Sequence, residues 1–177
     1  MKNTLFSKFA KLSLALLFVS CIAFVACKPE PTQEPANDSP AWHPIDAENK
    51  LVGTWSCTYE NGYVETYTIT QTTFDAGAYS YAGDNLKVVN LTDNSGYIYI
   101  KYTRAANADW TYSETAPDVG KWYAISYKNL TDNSISLSGA YKQDGITAAD
   151  TIEAAYNEFT IDNGYFGTYS ELTKQTE

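Results

Sequence analysis

The sequence predicts an all-β fold: an antiparallel meander that closes into a small β-barrel, with one short C-terminal α-helix packed on it. Three observations carry this expectation. Strand-forming residues are abundant, and 15 of the 177 residues are tyrosine. From Leu51 to Tyr141, short alternating runs are separated by Asn, Asp and Gly turn signals. Only one stretch, at about 148–159, carries apolar residues at helical spacing. A hydrophobic share of 44% suffices for the core of one domain.

Two segments precede that domain. Residues 1–26 open with Lys2, Lys8 and Lys11 and continue as an apolar run from Leu12 to Val25, the layout of a secretory signal. The run falls short of the roughly 20 apolar residues that a membrane span needs. It stops at Cys27. Phe24-Val25-Ala26-Cys27 resembles a bacterial lipobox, in which a small residue precedes a cysteine that becomes lipid-modified, here with Phe24 where Leu is usual. Phe18-Val19-Ser20-Cys21 is a second candidate, but the apolar run continues past Cys21. The resemblance implies lipidation at Cys27, a membrane partner through that anchor, and a place in the cell envelope at the outer membrane. Each buried CH₂ contributes about 0.8 kcal/mol, so two or three acyl chains hold a domain firmly.

Residues 27–48 read as that cysteine followed by an extended tether. Pro29, Pro31, Pro35, Pro40 and Pro44 stiffen it, and its reach is on the order of 60 Å. The only histidine, His43, lies here, and Trp42 is placed to tuck onto the domain. The folded domain is expected over 49–177.

Within the domain, LVGTWSCTY alternates Trp55, Cys57 and Tyr59 against threonines and serine. Glu60-Asn61-Gly62 is a hairpin turn. YVETYTIT follows, with Tyr63, Glu65, Tyr67 and Ile69 on one face. GAYSYAG, NLKVVNL, GYIYIKYT, GKWYAISY and SISLSGAY continue the series of about seven strands. In GYIYIKYT, Tyr97 and Tyr99 lie opposite Ile98, Ile100 and Tyr102. In GKWYAISY, Tyr123, Ile125 and Tyr127 lie opposite Trp122. The motif NLTDNS occurs at 90–95 and again at 129–134, each time between strand-like runs. Asn and Asp suit such turns. One carboxylate per copy, Asp93 and Asp132, is too few for the six to eight oxygens of a calcium site. Near the C-terminus, Ile152, Ala155, Tyr156 and Phe159 share a helical face, with Asp150 and Glu153 as a capping pair. A second short turn is expected at Tyr165, Phe166, Tyr169 and Leu172.

VGTW at 52–55 is echoed by VGKW at 119–122. Glycine two residues before tryptophan at a strand start resembles the calycin superfamily, which contains lipocalins, fatty-acid-binding proteins and avidins. The chain is most similar to the lipocalin-like domains of small bacterial surface lipoproteins, over about residues 50–141. The resemblance implies that Gly53 turns the chain and that the Trp55 ring seals the closed barrel end. It also implies an arginine from the last strand packed on that ring. Arg104 is the only arginine and lies mid-chain, so that partner is missing from the pattern.

Chemistry finds little purchase. His43 stands alone, which removes a Ser-His-Asp arrangement and a histidine metal cluster. Cys57 shares a strand face with Trp55 and reads as packing rather than a nucleophile. Most carboxylates fall in turns. Glu65 is mid-strand, where a lone glutamate ordinarily faces solvent. No cofactor, metal or catalytic residue is expected. The charge is −9, and loss of the first 26 residues with their three lysines takes it to −12. That excludes a phosphate-backbone grip on nucleic acid. Binding remains. One reading is an adhesion or binding module for a protein or glycan. The alternative is a carrier of a small apolar ligand in the barrel. Candidate contact residues are Tyr97, Tyr99, Trp122 and Tyr123 on the strands, and Trp110 in the long connection 103–120.

Overall fold

A computed structural model describes residues 41–176. Cys27 and Cys21, the signal segment and most of the tether lie outside the described residues. The strands are β1 (Gly53–Thr58), β2 (Val64–Ile69), β3 (Phe74–Asp75), β4 (Ala82–Thr92), β5 (Ser95–Ala106), β6 (Tyr112–Ser113), β7 (Trp122–Lys128), β8 (Ser134–Gly139) and β9 (Ser170–Lys174), with helix α1 (Ile152–Glu158) before the last.

Every pairing is antiparallel. The ring runs β1, β2, β3, β4, β5, β7, β8, β9 and back to β1, an eight-stranded closed barrel with β6 as a short hairpin arm on β5. Closure removes the edges that an open sheet would leave unpaired. The barrel and its packed helix are the fold that the alternation predicts, and they are compatible with a lipocalin-like form.

Which face is inside follows from register. Trp55 pairs with Tyr67 and Lys174, Leu172 with Ile135, and Ile125 with Ile98. Paired residues share a face, so these side chains all point inward. Trp55, Phe74, Val88, Ile98, Ile100 and Ile125 are completely buried. Tyr81, from the loop before β4, spans the interior: its ring stacks on Phe74 of β3 at 5.8 Å and meets Tyr123 of β7 edge-on at 5.1 Å. Tyr102 stacks on Tyr123 at 4.8 Å. The interior is thus filled by side chains.

Tyr97 and Tyr99 point outward, yet both are buried. Trp42 meets Tyr99 at 5.2 Å and Tyr156 of α1 at 5.4 Å. Phe166 covers Tyr97 at 5.4 Å. His43 exchanges two backbone hydrogen bonds with Val88, and Ile45 is buried. Residues 42–45, which the proline content assigned to the tether, therefore belong to the folded body.

Four other expectations change. The helix is shorter than 148–159, because Trp122 and Ala149 exchange backbone hydrogen bonds and hold the preceding segment extended. Its N-cap is Thr151, whose hydroxyl accepts from Ala154 N at 3.1 Å, rather than the Asp150–Glu153 pair. GAYSYAG is mostly a loop. Arg104 pins it, donating to Ser80 O, Gly77 O and Asp75 Oδ1. The expected C-terminal turn is instead followed by β9, the strand that closes the barrel beyond the 50–141 span of the resemblance.

That strand also supplies the missing cation. Lys174 Nζ lies 5.1 Å from the centre of the Trp55 ring. Gly53 adopts φ +147, a backbone that other residues rarely take, so glycine is favoured there by conformation, while the nearby end of the Lys174 side chain is free to shift. Trp55 Nε1 donates to Leu51 O at 3.0 Å.

Candidate functional site

Alternate connections of an up-and-down barrel gather at the same end. Those preceding β1, β2–β3, β4–β5 and β7–β8 form the end sealed by Trp55. Those joining β1–β2, β3–β4, β5–β7 and β8–β9 form the other, the loop end. The two ends differ in chemistry. At the sealed end, both NLTDNS copies make the same threonine turn: Asn94 N donates to Thr92 Oγ1, and Asn133 N to Thr131 Oγ1. Asp132 pairs with Lys50 at 3.0 Å. Among the described residues, no cluster of three or more His, Cys, Asp or Glu side chains gathers.

The loop end carries exposed apolar side chains. The β1–β2 hairpin shows Tyr59, Tyr63 and Val64. Tyr79 stands on the β3–β4 loop, Trp110 beside β6, and Tyr141 and Ile146 after β8. Leu91 and Ile161 are the exposed large hydrophobics elsewhere among the described residues.

Trp110 is 67% exposed and adopts φ +64, a conformation costly for a bulky residue. Its turn is tied down tightly. Asn107 N donates to Thr111 O at 2.7 Å, Trp110 N to Asn107 O at 3.0 Å, and Thr111 Oγ1 to Asp109 Oδ1 at 2.6 Å. Asn107 Nδ2 donates to Thr111 Oγ1 and Ser113 Oγ to Asn107 Oδ1. Two grooves flank the indole. One, of about 330 Å³, is lined by Ala106, Asn107, Pro117, Asp118 and Thr147. The other, of about 270 Å³, is lined by Tyr141, Gln143, Asp144 and Ile146, and Trp110 and Thr147 border both. Asp118 accepts from Lys121 Nζ at 2.9 Å and from Thr147 Oγ1 at 2.5 Å. Burial raises its carboxyl, but those two donors outweigh it and the net direction is down.

Inside the wall near the same end is Glu65. It faces inward with Tyr67 and Ile69, not toward solvent as a lone strand glutamate would. Tyr59 OH donates to Oε2 at 2.6 Å, Tyr67 OH donates to Oε1, and the Cys57 thiol lies 3.7 Å from Oε2. Burial raises the carboxyl, but the Tyr59, Tyr67 and Ser170 hydroxyls together outweigh it and the net direction is down. The Tyr59 hydroxyl is pushed up to about 12, chiefly by its bond to Glu65. Burial pushes the Cys57 thiol up. An ionised carboxylate with both oxygens occupied clamps the β1–β2 hairpin, and a protonated thiol is a poor nucleophile.

The sequence-predicted contact residues do not converge. Trp110 is at the loop end and exposed. Tyr123 is inside the barrel, and Tyr97 and Tyr99 are beneath Phe166, Trp42 and α1. Trp122 is partly buried on the outer face of β7. Tyr141 and Ile146 escaped sequence reading. Their signal was an aromatic directly before the turn Lys142-Gln143-Asp144-Gly145, where no strand partner could bury it. Among the described residues, no helix is long and apolar enough to cross a membrane. No family model, curated protein or solved structure matches the chain.

Proposed function

We propose that this chain is a lipid-anchored, lipocalin-like module of the cell envelope that binds a partner, without catalysis, at the loop end of its barrel. The observation that carries this reading is Trp110: an exposed indole, held at φ +64 by a hydrogen-bonded turn, between two grooves. Such strain persists where surrounding structure enforces it, and it concentrates at binding sites. Holding the ring in place beforehand lowers the entropy lost on binding. The filled interior favours this surface reading over carriage of an apolar ligand. Lipidation at Cys27 would place the domain at the outer membrane on its tether.

Two experiments test the reading. A photo-crosslinking residue at position 110 in the native envelope is expected to capture a partner, and one at position 91 is not. Equal capture at both sites, or none at 110, would count against the loop end. Palmitate labelling is expected to be lost in Cys27→Ser and kept in Cys21→Ser; the reverse would move the anchor.

A further inference from the structure

We infer that the partner at Trp110 is a neutral oligosaccharide, with one sugar ring stacked on the indole and its neighbours seated in the two flanking grooves. The inference rests on the loop-end reading above and deepens it.

A pyranose ring has a face of C–H bonds and a rim of hydroxyls. Its C–H face is weakly positive and apolar, and so matches the negative face of an aromatic ring. Its hydroxyls need donors and acceptors placed around that plane. Trp110 supplies the plane. On one side Asp118 offers a carboxylate, each of whose oxygens has a donor already and a further lone pair free. Thr147 borders both grooves, and Gln143 and Asp144 line the other side with an amide and a carboxylate.

Size and charge narrow the class. Grooves of about 330 and 270 Å³ are at the scale of small-ligand sites. A stable protein interface, by contrast, covers about 800 Å² per partner. The chain carries a charge of −9, but at the grooves Asp118 is paired with Lys121 and Lys142 lines the second groove beside Asp144. The two carboxylates are thus balanced locally, and among the described residues no cluster of free cations faces the grooves. The site therefore offers a neutral sugar both donors and acceptors and gives an anionic polysaccharide no added grip. Asp144 shares with Trp110 a left-handed backbone, at φ +61, which aspartate adopts readily in a turn.

The test uses the purified mature chain with maltohexaose, cellohexaose, xylohexaose, mannohexaose and chitohexaose, read by indole fluorescence and calorimetry. At least one is expected to bind with Kd below about 1 mM. Trp110→Ala should weaken it tenfold or more. Trp110→Phe, which keeps an aromatic face, should retain most of the affinity, and Leu91→Ser at the sealed end should leave it unchanged. Circular dichroism checks that each variant is folded. Absence of binding by all five sugars at 10 mM would overturn the inference, as would binding indifferent to Trp110→Ala. If position 110 instead crosslinks to a protein, the loop end stands as the binding surface and the saccharide assignment falls.

Discussion

Two tyrosines on β5 and β2 show how burial decides what a hydroxyl contributes. Tyr99 OH is buried and has no hydrogen-bond partner among the described residues, and His43 Nε2 is in the same position. A buried donor without a partner carries its full desolvation cost. Tyr99→Phe is therefore expected to leave stability unchanged or raise it by about 1 kcal/mol, read as the midpoint of urea unfolding. Tyr67 is the opposite case, since its hydroxyl donates to Glu65. Because the Glu65 carboxyl is lower in the folded state than in the unfolded chain, it adds stability above its unfolded pKa. That contribution disappears as pH falls through the folded value. Glu65→Gln should flatten the loss of stability as the pH falls below about 4.5, measured by unfolding at several pH values. An unchanged slope would mean that the clamp does not operate. The face that Glu65 shares with Tyr67 and Ile69 was legible as alternation, but that this face turns inward and half-buries the carboxylate was not. The three hydroxyls that hold this half-buried carboxylate come from Tyr59, Tyr67 and Ser170, and Ser170 is more than a hundred residues away in sequence.

At the scale of elements, β9 is the piece that local reading could not find. SELTK has little apolar periodicity, with Leu172 as its one buried residue. It is a strand because β8 and β1 each present an unpaired edge to it. Truncation after Gly167 should leave those edges open and remove Lys174 from the Trp55 ring. The expected result is loss of cooperative thermal unfolding, followed by near-ultraviolet circular dichroism. Helix α1 is the converse case: its apolar spacing was visible, and only its first turn was misjudged. Thr151→Ala should cost about 1 kcal/mol, with Ser in place of Thr restoring most of it. The repeated NLTDNS segments were legible as turns, but the acceptors are the hydroxyls of Thr92 and Thr131 rather than the Asn and Asp side chains that the motif suggested.

For the whole molecule, the decisive property is a barrel whose centre is solid. Ile125, Ile98 and Phe74 are wholly buried there. Ile125→Ala is expected to cost about 2–5 kcal/mol, as in any close-packed core; a cost well under 1 kcal/mol would indicate a roomy interior. Native mass spectrometry of the mature chain should likewise show no mass that is released on denaturation. The chain by itself determined the strands β1, β2, β4, β5, β7 and β8, where they turn and which of their side chains share a face. Those properties depend on neighbours two to four residues apart. It also contained every residue of the loop end. Tertiary structure alone decided that Tyr97 and Tyr99 would be covered by Trp42, Phe166 and α1, that Tyr81 would fill the interior, and that Trp110 would stay exposed between two grooves. Each of those outcomes depends on what ring closure brings against a side chain from far along the sequence, and alternation records a residue's face without recording what will cover it.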